Sequence, residues 1–142
     1  MARKENYQRT YVMLKPDALK RHLMGEIISR IERKGFNITA MKLFTLTKEL
    51  LDEHYAHLVD KPFYPDIVEF MMSGPVVGMI IEGGDVIEGI RKLMGSTHWL
   101  DADIGTIRGD YSCKEGENLI HGSDSEENAK LEIERFFGKN NL

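Results

Sequence analysis

The chain has 142 residues, of which 42% are hydrophobic and 30% charged, and its 19 Lys and Arg against 23 Asp and Glu give a formal net charge of −4. This balance predicts one globular domain over residues 1–142, excludes a disordered or repeat protein, and disfavours nucleic acid as the main partner. The single cysteine, Cys113, and the lack of a bilayer-length apolar run or a hydrophobic leader favour a cytoplasmic protein with no membrane partner.

The first third of the chain shows a strand, a helix and a second strand in turn. Residues 10–15 are an apolar, β-rich run closed by Pro16-Asp17, which predicts a strand and a turn. Residues 24–34 carry isoleucines at helical spacing and stop at Gly35, which predicts a helix. Along residues 36–46, two sets of side chains alternate at every second position, which predicts a second strand.

The middle third adds helices and one further strand. Thr47 is a candidate N-cap for a helix that we expect to reach about Val59, and another helix is expected between Pro62 and the Ser73-Gly74-Pro75 turn. Residues 75–82 then predict a third strand, and residues 86–94 a third helical region.

The last third begins with an irregular segment. Residues 95–117 show no periodicity and predict a long loop, and loops of that length are usually functional. A short strand is expected over residues 118–120, before His121, and Ser125 is a candidate cap for a last helix through Phe137. The element order predicts an α/β fold (an α+β sandwich) with a ferredoxin-like βαββαβ antiparallel sheet, additional helices and the long irregular loop.

The common nucleotide-binding and metal-binding motifs are missing from the sequence. It contains neither a P-loop nor a Gly-x-Gly-x-x-Gly motif. His54 and His57 share one face of a predicted helix, but no cysteine or carboxylate at a suitable spacing completes a zinc site. We therefore interpret this histidine pair as part of a solvated helix face.

His121 and Glu132 are the candidates for nucleophilic chemistry. His121 is expected at a sheet edge, where a structural histidine would fit equally well. Glu132 lies on the apolar face of the last helix, and an unpaired carboxylate there is costly, so His121 is a natural partner. A glutamate that accepts from one ring nitrogen leaves the lone pair of the other free, as a nucleophilic imidazole requires. The alternative is that Glu132 only caps the helix or extends to solvent.

Three cationic side chains are candidates for a phosphate site. Lys15 ends the first strand, Arg91 lies in the third helical region, and Arg108 lies in the irregular segment. In the predicted sandwich they can converge near the strand ends. Each of them alone is equally well explained as a surface charge.

Residues 118–125, Asn-Leu-Ile-His-Gly-Ser-Asp-Ser, resemble the active-site signature N-x-x-H-G-S-D-S of nucleoside diphosphate kinases. Further family motifs follow in the same order over nearly the whole chain, at residues 12–17, 53–55, 62–63, 73–77 and 105–110. The resemblance implies γ-phosphoryl transfer from a nucleoside triphosphate to a nucleoside diphosphate, by a ping-pong mechanism through a phosphohistidine. It also implies Mg²⁺ as cofactor and a homo-oligomer, either a hexamer or a tetramer.

The same resemblance implies roles for the residues that perform the chemistry. His121 is the nucleophile, Glu132 orients it, and Ser123 supports the glutamate. Tyr55 hydrogen-bonds near the histidine and the phosphate, and Lys15 is also implied to be catalytic. Mg²⁺ is held through nucleotide phosphates and water, with no direct protein ligand, and Asp124 touches a magnesium-bound water.

Seven residues are implied to bind the nucleotide through its diphosphate (Arg91, Thr97, Arg108), its sugar (Lys15, Asn118) or its base (Phe63, Ile67). Lys15 is also implied to reach a phosphate. Stacking on Phe63 does not distinguish one base from another, because every base has a π-face. We therefore expect broad base specificity.

The chain departs from the family pattern at Trp99 and Ile104, which occupy positions that commonly hold proline. We expect Trp99 to compensate by burying its ring, within the loop or against a neighbouring subunit. Two other functions fit parts of the sequence. One is a module that binds nucleotide or single-stranded DNA without turnover, and the other is a carrier that receives phosphate on His121 from a protein donor.

Overall fold

The computed structural model describes residues 5–139, so the predicted domain extends beyond the described residues at both ends. It contains a sheet in the order β2-β3-β1-β4, formed by β1 (Tyr7–Leu14), β2 (Asn37–Phe44), β3 (Val76–Gly84) and β4 (Ile120–Gly122). Every neighbouring pair of strands is antiparallel, which confirms the predicted sheet. The register places His121 of β4 opposite Met13 of β1, at one edge of the sheet.

Within the described residues, the helices are α1 (Pro16–Lys20), α2 (Met24–Lys34), α3 (Lys48–His54), α4 (Tyr64–Met71), α5 (Val86–Met94), α6 (Ile107–Tyr111) and α7 (Glu126–Phe137), with a 3₁₀ turn at Ala56–Leu58. The predicted bounds of α2 and α5 are confirmed. Gly35 ends α2 with a φ of 104°, in the left-handed region that favours glycine. Thr47 and Ser125 are confirmed as N-caps, since each side-chain oxygen accepts from the backbone N–H three residues later.

Two predictions in the first half of the chain are wrong in detail. The helix after Thr47 ends at His54 rather than Val59, because Tyr55 leaves helical geometry and the chain continues as a 3₁₀ turn. Pro16-Asp17 opens helix α1 instead of a turn. Proline is favourable at the first position of a helix, where its missing N–H leaves no hydrogen bond unmade.

Two predictions in the second half also need correction. Residues 95–117 are not entirely irregular, because Thr106 caps the short helix α6, which has too few residues to show periodicity. The last strand begins at Ile120 and includes His121 instead of ending before it. The cause is Leu119, whose φ of 73° interrupts the extended backbone.

The side chains of β1 and β3 alternate between two apolar layers, one on each face of the sheet. One layer includes Val12 and Met79 and packs against α2 and α5, and the other includes Tyr11 and Ile80 and packs against α3, α4 and α7. No helix within residues 5–139 is long and apolar enough to cross a membrane. The two layers bring α5, α3 and α7 to the edge of the sheet where β4 lies.

Candidate active site

A cavity of about 660 Å³ opens beside β4. Its walls come from β4, α6, α7, the ends of α3 and α5, and the loop after α5. The predicted site residues that line it are Lys15, Tyr55, Arg91, Thr97, Arg108, Asn118, His121, Asp124 and Glu132. The three cationic side chains therefore line one cavity, which is the arrangement that the predicted sandwich allows.

A chain of hydrogen-bonded side chains forms the centre of the cavity. The Oε1 atom of Glu132 lies 2.8 Å from Nε2 of His121 and 2.7 Å from Oγ of Ser123. Because an ionised carboxylate can only accept hydrogen bonds, Nε2 carries the proton and the lone pair of Nδ1 is free. The geometry gives His121 the free nitrogen that a nucleophile needs.

Glu132 is only 9% exposed, on the face of α7 that also buries Ala129, Ile133 and Phe136. Burial by itself would raise the pKa of this carboxyl group. The hydrogen bonds and charge supplied by His121, together with the Ser123 hydroxyl, outweigh burial and lower the pKa of Glu132. The carboxylate therefore stays ionised at neutral pH and holds the imidazole in one tautomer.

Lys15 lies at the end of β1, where its Nζ donates a hydrogen bond of 2.9 Å to Oδ1 of Asn118. Burial, followed by the positive charge of Arg108, lowers the pKa of Lys15 to about 8. The ammonium group of Lys15 is therefore mostly charged at pH 7 and loses its proton as the pH rises through about 8.

Backbone strain close to His121 is held in place by a buried carboxylate. Leu119 has a φ of 73°, which is uncommon for a residue with a side chain. Its N–H donates to Oδ2 of Asp17 at 3.1 Å, and its carbonyl accepts from the N–H of Lys15 at 2.9 Å. These two bonds set the direction in which the chain enters β4, and so the position of His121.

Arg108 is 6% exposed and supports the cavity wall from α6. Its guanidinium donates to the backbone carbonyls of Gly95 at 3.0 Å, Asn118 at 3.2 Å and Ile120 at 2.6 Å. A guanidinium has five N–H groups, so two remain for a ligand. Burial, followed by the charge of Arg91, lowers the pKa of Arg108 to about 10, which still leaves it charged at neutral pH.

The wall formed by α5 and the loop after it is more exposed. Arg91 and Thr97 are both exposed, and the Arg91 side chain makes no hydrogen bond or ion pair with any residue between 5 and 139. Asp124 accepts a hydrogen bond of 2.5 Å from Nδ2 of Asn128, which lowers the pKa of that carboxyl group. Arg91 and Thr97 are therefore open to a ligand, whereas Asn128 holds Asp124.

Gly122 allows α5 to approach β4 closely. A Cβ atom at this position would lie 2.6 Å from Sδ of Met94 and 3.2 Å from Cγ2 of Ile90. Helix α5, which carries Arg91, therefore packs against the strand that carries His121.

His54 contradicts the interpretation of a solvated histidine pair, whereas His57 is exposed. The half-buried His54 ring lies 4.9 Å from the His121 ring and 5.3 Å from the Phe136 ring. Burial, followed by the charge of His121, lowers the pKa of His54 to about 3. Burial and then Glu132 raise the pKa of the adjacent Tyr55 to about 12, so its phenol stays protonated and can donate.

Phe63 and Ile67, predicted to hold the base, do not line this cavity. Phe63 is 49% exposed at the start of α4, and Ile67 packs one turn later against the apolar layer under α3 and α4. Helix α4 is joined to α3 by a 2.8 Å hydrogen bond from Tyr64 to Asp52. The stacking role of Phe63 stays a prediction.

Among the described residues, His54, His121 and Glu132 present possible metal-ligand atoms within 4.8 Å of one another. Their hydrogen bonds disfavour a resident metal, since Glu132 already holds His121, and Nδ1 of His54 accepts from Nη1 of Arg135 at 2.9 Å. Asp124 is an exposed carboxylate in the same cavity, and Mg²⁺ prefers oxygen ligands and bound water. The cavity therefore fits a Mg²⁺ ion that is held mainly by substrate phosphates and water.

Two residues that shape the site were not predicted from the sequence. Asp17 follows Lys15 by two positions, and nothing in the sequence indicates that its carboxylate meets Leu119. Arg135 lies three residues after Glu132, a spacing that places both on one helix face and was a usable signal.

Comparisons with known proteins identify a family over almost the whole chain. The family described as "Nucleoside diphosphate kinase" matches residues 8–142. "Nucleoside diphosphate kinase 2, chloroplastic" of Nicotiana tabacum is 50% identical over 142 residues, which are all of this chain and 61% of that protein. Nucleoside diphosphate kinase of Thermus thermophilus is 52% identical over 130 residues, 92% of this chain and 95% of that protein. The chain thus spans about three fifths of the chloroplastic relatives that it matches.

A solved structure shows that the fold is similar as well. The nucleoside diphosphate kinase of Halobacterium salinarum in complex with CDP matches with a TM-score of 0.90 at 46% identity, covering 95% of this chain and 90% of that one. This match confirms the predicted fold class. The chain therefore belongs to the nucleoside diphosphate kinase family, whose members transfer phosphate from a nucleoside triphosphate to a nucleoside diphosphate.

Proposed function

We propose that this protein transfers the γ-phosphoryl group of a nucleoside triphosphate to a nucleoside diphosphate through a phosphohistidine on His121. The observation that carries this proposal is the pair of hydrogen bonds from His121 and Ser123 to Glu132, at 2.8 and 2.7 Å. They leave Nδ1 of His121 free in a cavity that also holds Lys15 and Arg108. Family membership supports the same reaction.

In the first half-reaction, the Nδ1 lone pair of His121 attacks the γ-phosphorus. A P–N bond forms, the bond between the γ-phosphorus and the bridging oxygen breaks, and the nucleoside diphosphate leaves with that electron pair. The proton on Nε2 stays shared with Glu132, whose negative charge stabilises the imidazole as it becomes more positive. Lys15, Arg91 and Arg108 neutralise the negative charge on the phosphate oxygens.

In the second half-reaction, a terminal phosphate oxygen of another nucleoside diphosphate attacks the same phosphorus. The P–N bond breaks, its electron pair returns to Nδ1, and a new nucleoside triphosphate leaves. Donor and acceptor use one cavity and one nucleophile, so the first product must leave before the second substrate enters. The expected kinetics are therefore ping-pong.

The residues that we propose to bind the nucleotide are the ones that the family resemblance implies. Arg91, Thr97 and Arg108 bind the diphosphate, and Lys15 and Asn118 bind the sugar, with Lys15 also reaching a phosphate. All five side chains line the cavity, which supports these assignments. Phe63 stacks on the base beside Ile67, and the exposure of the Phe63 ring leaves it available for that contact. Broad base specificity follows from stacking without a base-edge contact.

Mg²⁺ fits this reaction as a cofactor that enters with the nucleotide. Bound to the phosphates, Mg²⁺ neutralises charge on the transferring group. Asp124 would hold a water bound to the ion, since its carboxylate is ionised at neutral pH and exposed in the cavity.

The proposed assembly is a homo-oligomer, a hexamer or a tetramer. Within the described residues, β2 is an edge strand whose Met41 and Leu43 side chains are 55% and 65% exposed. An unpaired edge with exposed apolar side chains is suited to a protein interface. We also propose a reducing, cytoplasmic location on the basis of the single cysteine.

Incubation with γ-labelled ATP followed by GDP tests the reaction. The wild-type protein is expected to take up label on His121 and then pass it to GDP. His121→Ala is expected to take up none, while His22→Asn, which removes an exposed histidine that does not line the cavity, behaves as wild type. A protein that binds ATP but acquires no label is a module without turnover, and label that GDP cannot remove indicates a carrier. Either result contradicts the proposal.

A further inference from the structure

His54 and Arg135 form a half-buried pair beside the reactive histidine, and the reaction described above does not use this pair. Nη1 of Arg135 lies 2.9 Å from Nδ1 of His54. A guanidinium has no acceptor atom, so it must donate, and Nδ1 of His54 must carry a lone pair. In the neutral ring, the proton is therefore on Nε2.

The His54 ring is held against the nucleophile. It meets the His121 ring at 4.9 Å and 82°, and it also contacts the rings of Tyr55 and Phe136. A ring nitrogen of His54 lies within 4.8 Å of a ring nitrogen of His121 and of a carboxylate oxygen of Glu132. Nε2 of His54 makes no hydrogen bond to any residue between 5 and 139, and its side chain lines the cavity. It is a donor without an acceptor.

The spacing leaves room for an acceptor that arrives with substrate. No hydrogen bond joins the two histidines, although their ring nitrogens lie within 4.8 Å of each other. A phosphoryl group on Nδ1 of His121 would bring acceptor oxygen atoms into the cavity that both histidines line. A donor fixed before the substrate arrives stabilises charge on a reacting group without further rearrangement.

We propose that His54 is a neutral hydrogen-bond donor to the phosphoryl group as it is transferred, and that Arg135 is the positioning residue that keeps the proton on Nε2. This inference rests on the proposed phosphotransfer function. It assigns a further catalytic residue, because the donor touches the transferring group, and a residue on α7 that acts through it.

The charges around His54 keep the ring neutral. The groups that face it are His121, Lys15 at the end of β1, Tyr55, and Glu132 and Arg135 from α7. Burial and the positive groups lower the pKa of His54 to about 3, and Glu132 opposes them only in part. A neutral imidazole of lowered pKa is able to act as a donor in catalysis.

Nitrogen NMR of the imidazole rings tests the tautomer without any reaction. Wild-type His54 is expected to be neutral with its proton on Nε2 from about pH 5.5 to 8, whereas a histidine with the ordinary pKa of about 6.5 would titrate in that range. Arg135→Met is expected to produce a mixture of tautomers. Arg33→Met, a matched change of an exposed arginine on α2 across the sheet, leaves the His54 signals unchanged. A proton on Nδ1 in the wild-type protein overturns the proposal.

Single-turnover phosphorylation by ATP tests the catalytic role. His54→Phe keeps an aromatic ring but removes the donor, and it is expected to slow phosphorylation about 10- to 100-fold with ADP affinity changed less than about twofold. His54→Gln keeps an N–H near the Nε2 position and is expected to lose less. Arg135→Met is expected to lose about tenfold, Arg135→Lys less, and the double variant with His54→Phe no more than His54→Phe alone.

The two proposals fail in different ways. If the wild-type protein takes no label from ATP, the phosphotransfer function fails, and the catalytic role of His54 fails with it. If the wild-type protein is labelled and folded His54→Phe is labelled at the same rate, only the role of His54 is overturned. Additive losses in the double variant overturn the assignment of Arg135, and thermal melting of each variant establishes that it is folded.

Discussion

The two walls of the cavity differ in how their side chains are held. On the tied wall, formed by β4, α6 and α7, Glu132 and Arg108 make hydrogen bonds of 2.6 to 3.2 Å to their neighbours. On the exposed wall, formed by the end of α5 and the following loop, Arg91 and Thr97 are open to solvent. Reacting groups need fixed geometry before substrate arrives, whereas binding groups can adjust to it. We expect damage to the tied wall to slow chemistry and damage to the exposed wall to weaken binding.

The largest effect is expected from Glu132→Gln on the tied wall. The change keeps the shape but removes the charge that stabilises the imidazole during transfer, so the rate of His121 phosphorylation is expected to fall about 100-fold. ADP affinity should stay nearly constant, which single-turnover kinetics and an ADP titration measure separately. Glu134→Gln, two residues along α7, is the control. Weaker ADP binding with an unchanged phosphorylation rate would make Glu132 a structural residue.

Comparing Arg108→Lys with Arg91→Lys tests the difference between the two walls directly. A lysine at position 108 cannot replace the guanidinium of Arg108, which donates to three backbone carbonyls. We therefore expect a loss of about 2 kcal/mol in unfolding free energy together with weaker activity. Arg91→Lys should weaken ADP binding about tenfold and leave the melting temperature unchanged, because the side chain is exposed. Calorimetry and ADP titration measure both. Equal melting temperatures for the two variants would remove the distinction between the walls.

A pH titration of ADP affinity tests Lys15, which lines the same cavity from the end of β1. Its pKa of about 8 means that the ammonium is charged below that pH and neutral above it. Phosphate binding favours the charged form, so affinity should be full near pH 7 and fall about tenfold by pH 9, one unit above the pKa, where about a tenth of the groups stay charged. Lys15→Met is expected to bind weakly at both pH values. A wild-type affinity that does not change between them contradicts the lowered pKa.

The smallest effect is expected from proline replacement in the loop of the exposed wall. Ile104 is 92% exposed, and none of the described residues accepts a hydrogen bond from its N–H. Ile104→Pro should stabilise the fold by about 0.4–1 kcal/mol by restricting the unfolded chain.

Trp99 is half-buried and stacks on His98, with ring centroids 5.9 Å apart, so Trp99→Ala should lower the melting temperature and loosen the oligomer. Calorimetry measures the melting temperature of both variants, and light scattering measures the oligomeric state. If Trp99→Ala changes neither, Trp99 does not compensate for the missing loop prolines.

Residue patterns within one element were sufficient to predict much of this protein. The bounds of α2 and α5, the caps Thr47 and Ser125, and the inward face of α7 all follow from local spacing. Local spacing is sufficient there because helical periodicity and capping involve residues within about four positions of each other. The same reasoning placed Glu132 on a buried face and required a partner for its charge.

Tertiary structure decided what depends on elements far apart in the chain. His54 is half-buried because α7 brings Arg135 and Phe136 against the end of α3, and its own sequence neighbours contain no sign of this. Leu119 adopts its strained backbone because Asp17, about a hundred positions earlier, accepts its N–H. Burial, strain and lowered pKa values arise from which distant groups surround a side chain, and a single sequence does not specify those groups until the chain has folded.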